Sequence, residues 1–113
     1  MDKILERSLL YDFYGELLTD HQKKIYEQVV LDDYSLGEVA EDTGISRQGV
    51  HDLVKRTTKT LEDYENRLHM VERFVRIREQ VGEMTGLLNS IKTDDQETID
   101  KIRSISGRII EEL

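Results

Sequence analysis

Apolar positions recur at the three- and four-residue steps of an amphipathic helix along almost the whole chain. Ile4, Leu5, Leu9, Leu10, Phe13, Tyr14 and Leu17 form one wide stripe, which predicts a helix over residues 2–17. Thr19-Asp20-His21-Gln22 has the form of a capping box: Thr19 can accept a free backbone N–H while Gln22 reaches back. The helix it opens turns Ile25, Tyr26, Val29 and Val30 inward and ends at Asp32-Asp33-Tyr34. Ser35 and Glu38 make a second capping box, and the short helix behind them places Leu36, Val39 and Ala40 on its core side. Gly44, the residue best able to take a left-handed backbone, ends that helix. Ile45 follows as a buried plug, and Ser46 caps a fourth helix.

Beyond Ser46 the stripe continues. Val50, Val54, Thr57, Leu61, Tyr64, Leu68, Val71 and Val75 alternate four- and three-residue steps, a heptad seam. It can pack inward on the first helices or join two copies of the chain. Because Leu61, Leu68, Val71 and Val75 lie beyond the expected reach of a four-helix unit, the pattern favours a homodimer through Leu61, Tyr64, Leu68, Val71 and Val75. Near Phe74 the stripe shifts to Phe74, Ile77, Val81, Met84, Leu88 and Ile91, which places a bend or a new helix there. Gly82 and Gly86 weaken this stretch. Thr93-Asp94-Asp95 reads as a connection with a new cap, followed by a last helix carrying Ile99, Ile102, Ile105, Ile109 and Ile110. The fold class is all-α: a three/four-helix unit over residues 1–67 and a long helical C-terminal arm, residues 68–113, for dimerisation or interaction.

Within that unit, residues 35–57 carry the spacing of a helix-turn-helix. Leu36, Val39, Ala40, Gly44, Ile45, Val50, Leu53 and Val54 each have a job there. Ala40 is small because the second helix crosses close above it, Gly44 permits the turn, and Ile45 fills the angle. Val50, with Leu53 or Val54, anchors the recognition helix so that its other face points outward. Thr43 stands where an apolar residue is more usual, which predicts a looser turn.

These residues resemble known families. Residues 19–30 followed by Tyr34-Ser35-Leu36-Gly37-Glu38-Val39-Ala40 and Gly44-Ile45-Ser46 are similar to the fourth region of bacterial sigma factors. Ser46-Arg47-Gln48-Gly49-Val50-His51-Asp52, Lys55-Arg56-Thr57 and Leu61-Glu62-Asp63-Tyr64-Glu65 look more closely like the YlxM family, small bacterial helix-turn-helix proteins encoded beside signal recognition particle genes. The resemblance covers at least residues 2–88. Gly49 departs from it, standing where alanine is expected and softening the recognition helix. The resemblance implies a regulatory protein, acting in the signal recognition particle pathway.

Charge complicates that expectation. The net charge is −8, whereas dedicated nucleic-acid binders are usually basic. Yet residues 46–59 hold Arg47, Lys55, Arg56 and Lys59 against Asp52 alone, +3 in a chain whose remainder carries −11. Arg47, Gln48, His51, Lys55, Arg56 and Lys59 avoid the apolar seam and are the candidate nucleic-acid contacts. Arg47 and Gln48 can reach base edges, and Lys55, Arg56 and Lys59 can meet phosphates of DNA or of signal recognition particle RNA. Asp52 sits in the middle of that face and opposes them. The second function class is an interaction protein whose acidic arm binds a basic protein of the signal recognition particle.

Other chemistry finds little support in the sequence. There is no cysteine, so disulfides, thiol catalysis and thiolate metal sites are excluded. His21, His51 and His69 share no metal-ligand spacing, and Asp32-Asp33 and Asp94-Asp95 fall at expected helix ends, where capping explains them. No phosphate-binding loop, nucleophile constellation or dinucleotide fingerprint is present, so neither an enzyme nor a cofactor is expected. No apolar run is long enough to span a bilayer, no signal-peptide core is seen and proline is absent; a cytoplasmic location without membrane insertion is expected.

Overall fold

The computed structural model describes residues 2–91 and 95–113. They form six α-helices: α1 (Lys3–Tyr14), α2 (Asp20–Tyr26), α3 (Leu36–Thr43), α4 (Arg47–Leu68), α5 (Met70–Ser90) and α6 (Gln96–Glu112). A short 3-10 turn, Gly15–Leu17, follows α1, and a π turn, Glu27–Leu31, follows α2. There is no strand among the described residues, so the fold is all-α. The chain divides into two compact units, Met1–Val71 and Glu72–Leu113.

Both capping boxes form. Thr19 accepts from the backbone N–H of Gln22, whose side chain accepts in turn from the Thr19 N–H. Ser35 and Glu38 do the same at α3. Gly44 closes α3 at φ 76°, and Ser46 caps α4 by accepting from the N–H of Gly49 at 3.0 Å. Thr43 tightens the turn where a loose one was expected. Its hydroxyl donates to the Val39 carbonyl at 2.7 Å and accepts from the Ile45 N–H, so a polar side chain does the local work of an apolar one.

In the first unit α1, α2 and α3 all pack on α4. Ile25, Val39 and Val50 form a buried centre, with Leu36, Ala40, Ile45, Leu53 and Val54 packed around it half-buried. Leu10, Tyr14, Leu18, Tyr26, Thr57 and Leu61 are buried as well, in a unit where α1 and α2 both pack on α4. The first helix is shorter and its stripe narrower than the periodicity predicts. Ile4 and Leu5 are exposed at its open end, and the 3-10 turn brings Leu18 inward in place of Leu17.

The expected seam is not one helix face. The helix breaks at His69, which takes the left-handed conformation at φ 56°, about a turn before the shift read at Phe74. The cause is a polar bracket. Tyr14 Oη accepts from the backbone N–H of Met70 at 3.2 Å and donates to Glu65 Oε1 at 2.5 Å, while that same carboxylate oxygen accepts from the Val71 N–H at 2.9 Å. The first free N–H groups of α5 are thus satisfied by side chains reaching from α1 and α4, as a helix start requires. Of the seam residues, Leu61 and Val71 are buried within the first unit, Tyr64 and Val75 are half-buried, and Leu68 is exposed. Leu61 therefore lies within reach of the four-helix core.

The second unit holds α5 from Glu72 onward and α6. Leu88, Ile99 and Ser106 are its buried residues, and Arg103 Nη2 donates to Asn89 Oδ1. Asp95 caps α6, accepting from the Thr98 N–H at 3.2 Å; Thr93 and Asp94, the rest of the expected connection, lie outside the described residues.

Candidate nucleic-acid interface

The outward face of α4 follows from its inward one. Val50, Thr57 and Leu61 are buried and Leu53 and Val54 half-buried, and at 100° per residue this leaves His51, Asp52, Lys55, Arg56 and Lys59 exposed. His51, Lys55, Arg56 and Lys59 line a groove of about 650 Å³. Its other wall comes from α1, which supplies Lys3 and Arg7, and from Val29 and Leu36. Five cations thus meet, with Glu62 as the opposing carboxylate. Arg7 is held in place through its backbone: its carbonyl accepts from the Tyr26 hydroxyl at 3.0 Å.

Lys3 and Arg7 were not among the residues read from the sequence. They are the basic residues of the first helix and stand four apart, so they share a face. That was the available signal. What it could not show is that this face turns toward α4 rather than away from it.

Two expected contacts, Arg47 and Gln48, do not line that groove. The Arg47 side chain folds back across α3: its guanidinium lies so near Gly37 that a Cβ there would stand 3.0 Å from Nη2. It shares a shallow depression with Glu38 and Glu41, outside the basic groove. Gln48 is engaged by Asp52, donating from Nε2 to Oδ1 at 3.0 Å. The same aspartate stands 3.6 Å from His51 Nδ1, and its backbone carbonyl takes a hydrogen bond from Arg56 Nε. Asp52 therefore organises the exposed face of the recognition helix as well as opposing its charge. Lys59 pairs loosely with Asp63 at 3.8 Å, an exposed contact worth little in water.

Gly49 has a steric reason. A Cβ there would stand 2.7 Å from Ile45 Cγ2 and 3.1 Å from Ser46 Oγ, the cap of its own helix. The expected alanine would collide with the plug of the turn. Gly49 lets α4 start close against that plug, and the softness read from its identity is offset by the fit.

The acid is not where it was expected. Residues 72–113 hold nine acidic and seven basic residues, a balance of only −2, so the arm is nearly neutral. The excess lies in residues 1–45, with eleven acidic against four basic. Two of those four, Lys3 and Arg7, line the groove.

Comparison with known proteins shows the family of the chain. A family model described as "Putative helix-turn-helix protein, YlxM / p13 like", UPF0122, matches residues 1–105. The UPF0122 protein of Thermoanaerobacter sp. (strain X514) is 43% identical over 113 residues, covering 99% of this chain and 97% of the relative. The UPF0122 protein of Streptococcus pneumoniae (strain 70585) is 43% identical over 110 residues, covering 96% and 97%. The family is a helix-turn-helix family rather than an enzyme family. Among the described residues no helix is long and apolar enough to cross a membrane.

Proposed function

Because the chain belongs to the YlxM/p13-like helix-turn-helix family, UPF0122, we propose that it is a regulatory protein that binds DNA through the basic face of α4. The observation that carries this reading is the meeting of Lys55, Arg56 and Lys59 with Lys3 and Arg7 around one groove, on a chain of net charge −8. A cationic patch on a repellent surface confines phosphate to one orientation, and so presents one helix to the duplex. Gln48 and His51 are then the side chains placed to reach base edges, with Asp52 setting their positions. The setting of this activity in signal recognition particle-dependent targeting rests on the family resemblance.

The competing reading, an acidic arm that binds a basic protein of the particle, loses its premise with the near-neutral balance of residues 72–113.

The test is a fluorescence anisotropy titration at low salt, with genomic DNA fragments and signal recognition particle RNA in parallel. Lys55→Ala and Arg56→Ala should weaken binding to all sequences alike and lower the salt slope by about one each. Arg47→Ala, whose side chain is folded over α3, should do less. Asp52→Asn should tighten binding while blurring sequence preference. Binding to the RNA alone would move the function to the targeting particle itself, and binding to neither would end the nucleic-acid reading.

A further inference from the structure

Thr58 has a buried hydroxyl with no hydrogen-bond partner. The residue is 9% exposed and lines the groove between α1 and α4. A threonine on a helix normally satisfies itself by donating to the carbonyl four residues back. Thr60 does so, reaching the Arg56 carbonyl at 3.0 Å, and Thr43 does so at α3. Thr58 does not. Thr57 shares the lack of a partner, but it lies in the core, 1% exposed, and does not line the groove. A buried hydroxyl without a partner carries a desolvation cost, and such groups are few in native proteins. Here the unmade bond coincides with the one concavity where Lys3, Arg7, Lys55 and Lys59 stand together.

We propose that this groove seats a phosphate group, its charge met by Lys3, Arg7, Lys55 and Lys59 and one oxygen taking the hydrogen bond that Thr58 leaves unmade. The hydroxyl itself is sealed from solvent, so a phosphate drawn in by the ammonium and guanidinium groups of the groove would take its hydrogen bond once the Thr58 side chain rotates to present it. Glu62 stands in the same groove and works against a highly charged anion. The phosphate is a phosphodiester of the nucleic-acid backbone or a free phosphate; the first source rests on the DNA-binding reading above, the second does not.

The test uses the full chain and two ligands at low salt: a short DNA duplex and pyrophosphate, both followed by amide chemical-shift perturbation around Thr58. Thr58→Val keeps the shape and removes the hydroxyl. It should raise the melting temperature, because an unsatisfied buried group is gone, yet weaken binding roughly ten-fold, the loss of one hydrogen bond to a charged group. Thr58→Ser should restore most of that affinity. Lys3→Gln changes an exposed position on another helix, leaves folding intact, and should weaken binding about two-fold. Glu62→Gln should tighten it. If Thr58→Val and Lys3→Gln bind both ligands as the wild type does, the seat is overturned. Should Lys55→Ala and Arg56→Ala still weaken DNA binding in that case, the helix-turn-helix reading survives without it. If pyrophosphate binds with this dependence and DNA does not bind at all, the seat stands as a free-phosphate site and the DNA reading falls.

Discussion

Gly49 shows how a single residue can be misjudged from its type. Glycine inside a helix costs up to about 1 kcal/mol relative to alanine, so replacing it is ordinarily stabilising. At this position the added methyl would meet Ile45 Cγ2 at 2.7 Å, and Ile45 is wedged in the turn. Overpacking of that kind costs roughly 1–3 kcal/mol and outweighs the gain in propensity. Gly49→Ala is therefore expected to be neutral or to lower stability by up to about 2 kcal/mol, measured by urea denaturation. A clear stabilisation would mean that the turn opens more readily than its packing implies. Tyrosines supply a second residue-scale prediction. Burial pushes the Tyr26 phenol from 10.0 up to about 12, with Arg7 opposing the shift and Glu62 adding to it. Burial, then the hydrogen bond to Glu27, brings Tyr11 to about 12 as well. The unfolded chain releases these protons first, so the stabilisation is whole below pH 10 and declines as pH rises toward 12. Denaturation midpoints measured across that window should fall. Tyr26→Phe should make the fall shallower, while costing about 1 kcal/mol at neutral pH for its lost bond to the Arg7 carbonyl.

At the scale of elements, the decisive event is the break at His69. Heptad periodicity runs through it undisturbed, because side-chain spacing says nothing about which backbone groups find partners elsewhere. Tyr14 and Glu65 supply those partners, and the bracket also holds the Tyr14 phenol protonated, its pKa raised by burial and then by the Glu65 hydrogen bond. Tyr14→Phe should remove the bond to Met70 and the hydrogen bond that the Tyr14 hydroxyl donates to Glu65. The expected loss is about 1–3 kcal/mol, with reduced amide protection at Met70 and Val71 as the local signature. His69→Gly should act in the opposite sense, relieving a non-glycine left-handed residue and stabilising the chain by up to about 1 kcal/mol. If His69→Gly is neutral while Tyr14→Phe is costly, the bracket and not the backbone strain governs the break.

For the molecule as a whole, burial is unevenly shared. The large side chains that are fully buried, Tyr14, Tyr26, Ile25, Leu61, Val39 and Val50, all belong to the first unit. The second leaves Met84, Leu87, Ile105 and Ile109 substantially exposed. Local stability follows buried apolar contact, so native-state hydrogen exchange should be slowest in α4 and faster throughout α6. Equal protection in the two units would show that the second is covered in solution. Charge is divided just as unevenly: the acid excess of residues 1–45 surrounds the same unit that carries the basic groove. Outside the groove the charged side chains of the first unit are thus mostly acidic. Association with DNA should accordingly slow steeply as salt screens that contrast, over a Debye length of about 10 Å at 0.1 M. Stopped-flow anisotropy would measure it.

The sequence by itself determined most of what depends on neighbours along the chain, though not the side-chain contacts of Thr43 and Gly49 with Ile45. The helical period, two capping boxes, the Ser46 cap, the Gly44 turn and the core side of α3 are set by residues within four or five positions of one another, and all are present as read. Tertiary structure alone decided what depends on distant partners. Tyr14 and Glu65, fifty-one positions apart, end α4; α1 turns Lys3 and Arg7 toward α4; and Arg47 lies on α3 instead of joining the basic face. Periodicity tells which side of a helix is buried but not what buries it. Leu61 and Val71, apolar at heptad spacing, fit a dimer seam and a folded core equally well until the path of α1 is known. The candidate interface has the same origin: two of its five cations come from α1, whose sequence does not show which way its basic face turns.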